Sequence, residues 1–339
     1  MLTSSGYDMP GRAHGATRMI KAYSIVSLFS GCGGMDLGLM GGFEVLGKPY
    51  ARRPFEVVWA NDLNPYACLT YAHNLGHAIR QGDIWDHMAT LPESCDVVVG
   101  GFPCQDISIN GKRAGVAGAR SGLYRAMVEA VRRLKPKVFV AENVRGLLYK
   151  YNEESLRQVL RDFSGLGYDV TYQLYHAADY EVPQRRERVF IVGVRGGAAP
   201  FEAPAPLLDK TSWITSKAAI ADLETRAQDA EFSHIWSLAR KSSDQGGRRL
   251  DPGKTSHTIR AECHGNNQFH YALPRRISMR EAARFQTFPD SYLFKARLRE
   301  TERMIGNAVP PVLAWHLGTS LQRTLAALGG EALPTMAAE

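Results

Sequence analysis

The feature that most constrains this chain is a short apolar run, Asp96-Val97-Val98-Val99, that breaks into Gly100-Gly101-Phe102-Pro103-Cys104-Gln105. A β-branched run ending in glycines reads as a buried strand that runs out into a loop. In an open α/β sheet, ligands bind beyond the carboxyl ends of such strands. Pro103 fixes one backbone angle beside the sulfur, and the glycines let the main chain come close to a ligand. A thiol held there becomes a nucleophile if its pKa is lowered. An isolated cysteine is more often a small buried hydrophobe, so the weight of the reading falls on its neighbours.

Other runs end in the same manner. Ser24 to Phe29 reads as a strand entering Ser30-Gly31-Cys32-Gly33-Gly34-Met35-Asp36-Leu37-Gly38-Leu39, which is the strand, glycine-rich turn and helix start of nucleotide-binding α/β folds. The spacing departs from GxGxxG and lacks the Lys-Ser/Thr of a phosphate loop, which argues against a dinucleotide or a triphosphate. The run Phe55 to Ala60 ends at Asn61-Asp62, where an acid can accept from ribose hydroxyls or cap a helix before Pro65. Gly82-Asp83-Ile84 places a further carboxylate at a turn. Val138 to Ala141 ends in Glu142-Asn143-Val144, a carboxyl placed to offer a proton. Gln184-Arg185-Arg186-Glu187-Arg188 leads into the buried strand Val189 to Gly193, and arginines there need anionic or carbonyl partners.

Helical spacing covers Leu123 to Leu134 up to Pro136, and a second helix begins near Asn152, followed by a strand around Val170 to Tyr175. Ser278-Met279-Arg280-Glu281 is a capping box opening a helix through Phe285, and Pro310-Pro311 suit the first turn of a last helix.

A length of 339 residues fits two domains, and a net charge of +7 fits a polyanionic partner. The five cysteines form no CxxC pair, which argues against a zinc site or disulfide framework and fits a reducing cytosol. No signal peptide and no membrane-spanning apolar run is evident, so a soluble intracellular protein is expected. Residues 109–120 carry Lys112 and Arg113 among glycines, as a mobile basic loop closing over an anion would. An Ala/Pro-rich boundary at 198–206 opens a weakly periodic stretch holding Arg248, Arg249, Arg260, Asn266, Asn267 and Gln268. Arg, Asn and Gln are the side chains best able to bond base edges through two hydrogen bonds, although polar loops are as often merely solvated.

In order, Phe-Ser-Gly-Cys-Gly-Gly (29–34), Gly-Phe-Pro-Cys-Gln (101–105), Glu-Asn-Val (142–144), Gln-Arg-Arg-Glu-Arg (184–188), Arg-Glu-Ala-Ala-Arg-Phe-Gln-Thr-Phe-Pro (280–289) and Gly-Asn-Ala-Val-Pro-Pro (306–311) resemble the motif series of DNA cytosine-5 methyltransferases of the bacterial, restriction-modification kind. The resemblance spans about residues 24 to 320, apart from the variable stretch around 200–270. It implies an α/β fold: a Rossmann-like, S-adenosylmethionine-dependent methyltransferase domain with a smaller target-recognition domain and DNA between them. The expected divisions are a flexible extension (1–21), the catalytic domain (22–196), the recognition domain (197–273), a return to the catalytic domain (274–330) and a flexible tail (331–339).

The implied reaction moves a methyl group from S-adenosylmethionine to carbon 5 of a flipped-out cytosine, through a covalent Cys104 adduct at carbon 6. By resemblance Glu142 contacts N3 and the exocyclic amine, Arg188 binds O2, Asn143 supports the site and Arg186 helps to order the loop. Phe29, Gly31, Cys32, Gly34, Asp62, Asp83, Ile84, Pro103, Leu123 and Asn307 are placed at the methyl donor. Gln105, Lys112 and Arg113 join the six residues of the variable stretch as DNA contacts, and no metal is implied. Asp62 is one methylene shorter than the usual Glu, and Leu63 stands where many members carry an aromatic residue against adenine. The implied partner is double-stranded DNA, with a cognate restriction endonuclease acting separately, for a monomer in the bacterial cytoplasm at the nucleoid. Three rival readings are an RNA methyltransferase (whose tRNA-modifying branch carries a Cys-Phe-Thr tripeptide that this chain lacks), a non-catalytic DNA-binding relative, and a nicotinamide-dependent oxidoreductase resting on the glycine loop alone.

Overall fold

A computed structural model describes residues 22–102, 122–197, 200–237, 248–261 and 268–330. The β-branched runs form a seven-stranded sheet: β1 (Tyr23–Leu28), β2 (Phe55–Asp62), β3 (Arg80–Gln81), β4 (Val97–Gly101), β5 (Val138–Val144), β6 (Tyr168–His176) and β7 (Glu187–Arg195). Their order is β3-β2-β1-β4-β5-β7-β6. Strands β3, β2, β1, β4 and β5 pair in parallel, whereas β7 runs antiparallel to both β5 and β6.

Two cores explain why the central runs are apolar without alternation: both faces of the sheet are covered. Ile25, Val97, Val99, Val138 and Val140 share one core with Leu313, Leu317 and Leu321 of the last helix. Val26, Leu28, Val98, Phe139 and Ala141 face the opposite side, against Met127, Ala130 and Val131 and against Val159 and Phe163. The covering helices are α1 (Gly34–Met40), α2 (Pro65–Leu75), α3 (Ile84–His87), α4 (Gly122–Leu134) and α5 (Glu153–Ser164). Beyond the sheet follow α6 (Ser216–Ile220), α7 (Met279–Phe285), α8 (Leu298–Asn307) and α9 (Pro311–Gly329). Among the described residues no helix is long and apolar enough to cross a membrane.

A third core joins Ala219 and Ile220 to Leu250, Ile259, Ala282, Ala283, Phe285, Met304 and Ile305, and it reaches Cys32 and Ala67 of the sheet unit. Packing therefore holds residues from 219 to 308 together, and the chain rejoins the first core at Val309. The capping box forms as expected: Ser278 Oγ accepts from the Glu281 amide while the Glu281 carboxylate accepts from the Ser278 amide. Helix α8 and the hairpin Phe43–Val45 with Lys48–Tyr50 had no clear signal in the sequence.

Asp36, on α1, lies inside the protein and accepts from Ser27 Oγ at 2.8 Å and from the Tyr71 hydroxyl at 2.7 Å. Burial pushes its carboxyl up to about 6, and the two hydroxyl donors act against that rise. The folded state thus holds a proton that the unfolded chain releases near pH 4. The stability linked to it is complete at low pH and is lost as pH rises through about 6, by roughly 2–3 kcal/mol in all. Asp36→Asn is expected to remove this component, flattening the fall of melting temperature between about pH 4 and 6. Parallel pH profiles for the variant and the wild type would show that Asp36 does not titrate there.

Candidate active site

At the carboxyl ends of β1, β2, β4 and β5 lies a cleft of about 390 Å³. Its wall brings together Phe29, Gly31, Cys32, Gly34, Asp62, Asp83, Ile84, Leu123, Glu142, Asn143, Arg188 and Asn307, residues scattered across the sequence. Pro103, Cys104, Gln105, Lys112, Arg113, Asn266 and Asn267 lie outside the described residues.

The glycine loop and the tip of β2 hold each other. Asp62 Oδ2 accepts from the Gly31 amide at 2.8 Å, and Oδ1 accepts from the Asn64 amide at 2.8 Å. The cap of α2 is Asn64, whose Oδ1 accepts from the Tyr66 and Ala67 amides, so of the two roles open to Asp62 capping falls to Asn64. Burial raises the Asp62 carboxyl above its ordinary range, opposed by the two amides. Each carboxylate oxygen has a second lone pair, so both can still accept from hydroxyls in the cleft. Asp83 caps α3 through the Trp85 amide at 2.9 Å, beside the buried side chain of Ile84. Leu63 reaches the same cleft and is 70% exposed, a surface that an aromatic ring of a ligand could cover. The Tyr292 hydroxyl donates to the Cys32 carbonyl, tying the third core to the loop.

Sequence reasoning had not placed Asp36, Arg303, Met304 or Val309 at this cleft. Asp36 sits one helical turn beyond the glycine loop, a spacing that could have found it; Arg303 and Met304 lie on α8, which left no clear trace. The lining then carries Asp36, Asp62, Asp83 and Glu142 against Arg188 and Arg303, an acidic excess suited to a cationic ligand.

Glu142 and Arg188 meet on neighbouring antiparallel strands, both nearly buried. Arg188 Nε lies 2.7 Å from Glu142 Oε1 as an ion pair. Burial lowers the Arg188 pKa, and the Glu142 charge opposes the shift. Asn143 serves the scaffold: its Nδ2 donates to the Phe102 carbonyl at 3.0 Å, immediately before Pro103, and its Oδ1 accepts from the Val144 amide.

Cys32, Cys68 and Cys95 are buried, and desolvation pushes each thiol up to about 12. None of the three is a thiolate near neutrality.

Arg186 is fully buried and its terminal nitrogens are spent on main-chain carbonyls: Nη1 on Ile259 at 3.0 Å, Nη2 on Gly306 at 2.9 Å and Ala308 at 2.8 Å. Burial holds its pKa well below the ordinary value, with the Arg188 charge acting in the same direction. These bonds make it a clamp across the two sides of Asn307, not a group that faces the cleft. Gln184 reinforces the joint, donating to the Phe285 carbonyl and accepting from the Ile259 amide. Arg248, Arg249 and Arg260 are exposed, and Arg249 Nη1 donates to the Tyr271 carbonyl. Gln268 is 1% exposed and its side-chain amide donates to the His257 carbonyl.

A parallel sheet closed by one reversed strand, with a glycine-loop cleft beneath a smaller packed unit, defines a Rossmann-like methyltransferase domain with a second, smaller domain. The sequence model of the C-5 cytosine-specific DNA methylase family matches residues 23–244 and 234–323. The chain is 37% identical over 332 residues to the type II methyltransferase M.NgoFVII of Neisseria gonorrhoeae, covering 88% of this chain and 86% of that protein. It is 33% identical over 338 residues to M.NgoPII of the same organism, covering 89% and 96%. The solved structure of S. pombe Dnmt2 methyltransferase superposes with a TM-score of 0.65 at 20% identity, over 89% of this chain and 99% of that one, a likeness of fold. The chain belongs to the C-5 cytosine-specific DNA methylase family and is a DNA (cytosine-5) methyltransferase.

Proposed function

We propose that the chain methylates carbon 5 of a flipped-out cytosine within a specific duplex DNA sequence, with S-adenosylmethionine as donor and Cys104 as covalent nucleophile. The observation that carries this reading is the Glu142–Arg188 pair, set in the same cleft as the glycine loop and beside the backbone that leads to Cys104. The cleft fits the donor in three respects. Its acidic excess suits a cation, Asp62 retains acceptor capacity for ribose hydroxyls, and Ile84 and Leu63 offer apolar surface to a base. When bound, S-adenosylmethionine supplies an electrophilic methyl group on a sulfonium.

The protein's own part is to make carbon 5 nucleophilic. The Cys104 thiolate adds to carbon 6, which breaks the ring's aromaticity and moves electron density toward carbon 5. Glu142 holds a proton at N3 and accepts from the exocyclic amine, and Arg188 donates to O2, so charge is stabilised as it develops. Loss of the carbon 5 proton and expulsion of the thiolate restore the ring. A stacked cytosine is out of reach of all these groups, so the base leaves the helix.

In the same reading residues 22–196 and 274–330 form the catalytic domain and 197–273 reads the DNA. The protein acts as a monomer at the bacterial nucleoid beside a separate restriction endonuclease; its relatives M.NgoFVII and M.NgoPII are named type II methyltransferases. Bisulfite sequencing of a plasmid from cells expressing the chain tests the activity and reports the methylated sequence together. Unconverted cytosines at one recurrent sequence are expected, and complete conversion in cells holding folded protein would refute the reading. With the same readout, alanine at Arg248, Arg249 or Arg260 is expected to relax one position of that sequence where the side chain reads a base, at roughly 1–3 kcal/mol. A phosphate contact instead lowers methylation evenly. If every variant keeps the wild-type sequence, specificity lies elsewhere, with the basic residues Lys112 and Arg113 next in line.

A further inference from the structure

We infer that Gly101 is a positioning residue: its missing side chain is the slot in which the Glu142 carboxylate sits. The inference rests on the role given above to Glu142. Gly101 is the last residue of β4, and in the parallel pairing of β4 with β5 it stands directly opposite Glu142. A Cβ built on Gly101 would lie 2.9 Å from Glu142 Oε2, closer than such atoms approach. The next contacts, Glu142 Cβ and Cδ at 3.9 Å, belong to the same side chain. The other carboxylate oxygen, Oε1, is the one 2.7 Å from Arg188 Nε. The carboxylate is therefore bounded on one side by the guanidinium and on the other by the empty face of Gly101.

Backbone conformation does not account for this glycine. Gly101 is absent from the described glycines with positive φ, so its main chain is one that any residue adopts. What glycine supplies here is volume. A methyl group at this point meets the far end of a flexible side chain and no backbone, so the fold tolerates it while the carboxylate must move. A displacement of an ångström at a reacting group costs up to about 100-fold in rate.

The test compares the full-length wild type with Gly101→Ala, Glu142→Asp, the double variant and Glu142→Gln. Single-turnover methyl transfer to duplex DNA is measured at saturating donor and DNA, with donor affinity, DNA affinity and melting temperature. Gly101→Ala is expected to slow methyl transfer at least about tenfold. Its donor affinity and melting temperature should stay near wild type. Aspartate withdraws the carboxylate from the added methyl, so Glu142→Asp should cost less when combined with Gly101→Ala than when introduced alone. A Gly101→Ala rate within twofold of wild type, or independent effects of the two substitutions, overturns the slot. So does a rate loss matched by a collapse in melting temperature, which would make the glycine a requirement of folding. A Glu142→Gln enzyme of wild-type rate refutes the role of Glu142 itself, which is a separate result.

Discussion

Cys104→Ser is expected to abolish methyl transfer while donor binding and melting temperature stay near wild type. An alcohol is rarely ionised near pH 7, whereas a thiol at an active site can be, and it is the ionised form that adds to carbon 6. Cys104 itself lies outside the described residues. Asn143 grips the carbonyl of Phe102, two residues upstream of the thiol, and the described cysteines are buried with thiols pushed up to about 12. Cys32 lines the same cleft and would be the obvious substitute, but at that pKa it holds its proton. Turnover by the serine variant near the wild-type rate would remove Cys104 from the mechanism. DNA carrying 5-fluorocytosine gives the complementary measurement: fluorine cannot leave as the carbon 5 proton does, so the wild type should be trapped as a stable adduct and Cys104→Ser should not.

Glu142→Gln is expected to slow methyl transfer by about 10²–10⁴, the range typical of a positioned proton donor or acceptor. Glutamine keeps the shape and can still touch the exocyclic amine, but it cannot hold a proton at N3. The substitution also leaves the Arg188 guanidinium, nearly buried and 2.7 Å away, without its counter-charge. Some loss of melting temperature is therefore expected with it, because a buried charge stripped of its partner is costly. Rates are to be compared at a temperature where both proteins are folded. An unchanged rate with collapsed DNA affinity would reduce Glu142 to a binding residue.

Strand tips were legible in the sequence because two-sided burial writes a strand as an uninterrupted β-branched run, and the residue ending the run is then at the ligand edge. That logic located Asp62 and Glu142, which line one cleft. Local capping chemistry was legible too, as the Ser278 box and Pro311 at the start of α9 show. Roles set by distant partners were not. Nothing near Arg186 in sequence reveals that its acceptors are carbonyls 73, 120 and 122 residues away. Gln268 reads as a surface amide in a polar stretch, and only the fold turns it inward to the His257 carbonyl. Helix α8 is amphipathic but rich in charge, and its buried face became visible only against α7 and Ile259.

The Arg186 clamp bears on any attempt to graft a new DNA specificity onto this scaffold. The composition invites a cut at 197 and 273, yet the guanidinium holds Ile259 on one arm and Gly306 and Ala308 on the other. Gly306 leaves no room for adjustment there, since a Cβ on it would fall 2.3 Å from the Arg260 carbonyl carbon. A transplanted segment must therefore bring its own chain through 256–261 along the same path, offering a carbonyl at position 259 and pairing with Gln184–Arg185 as Ser256–His257 do. Donor segments that miss this path would distort the wall carrying Asn307 as well as the reader, so a failed chimera would lose cofactor affinity along with its new sequence preference.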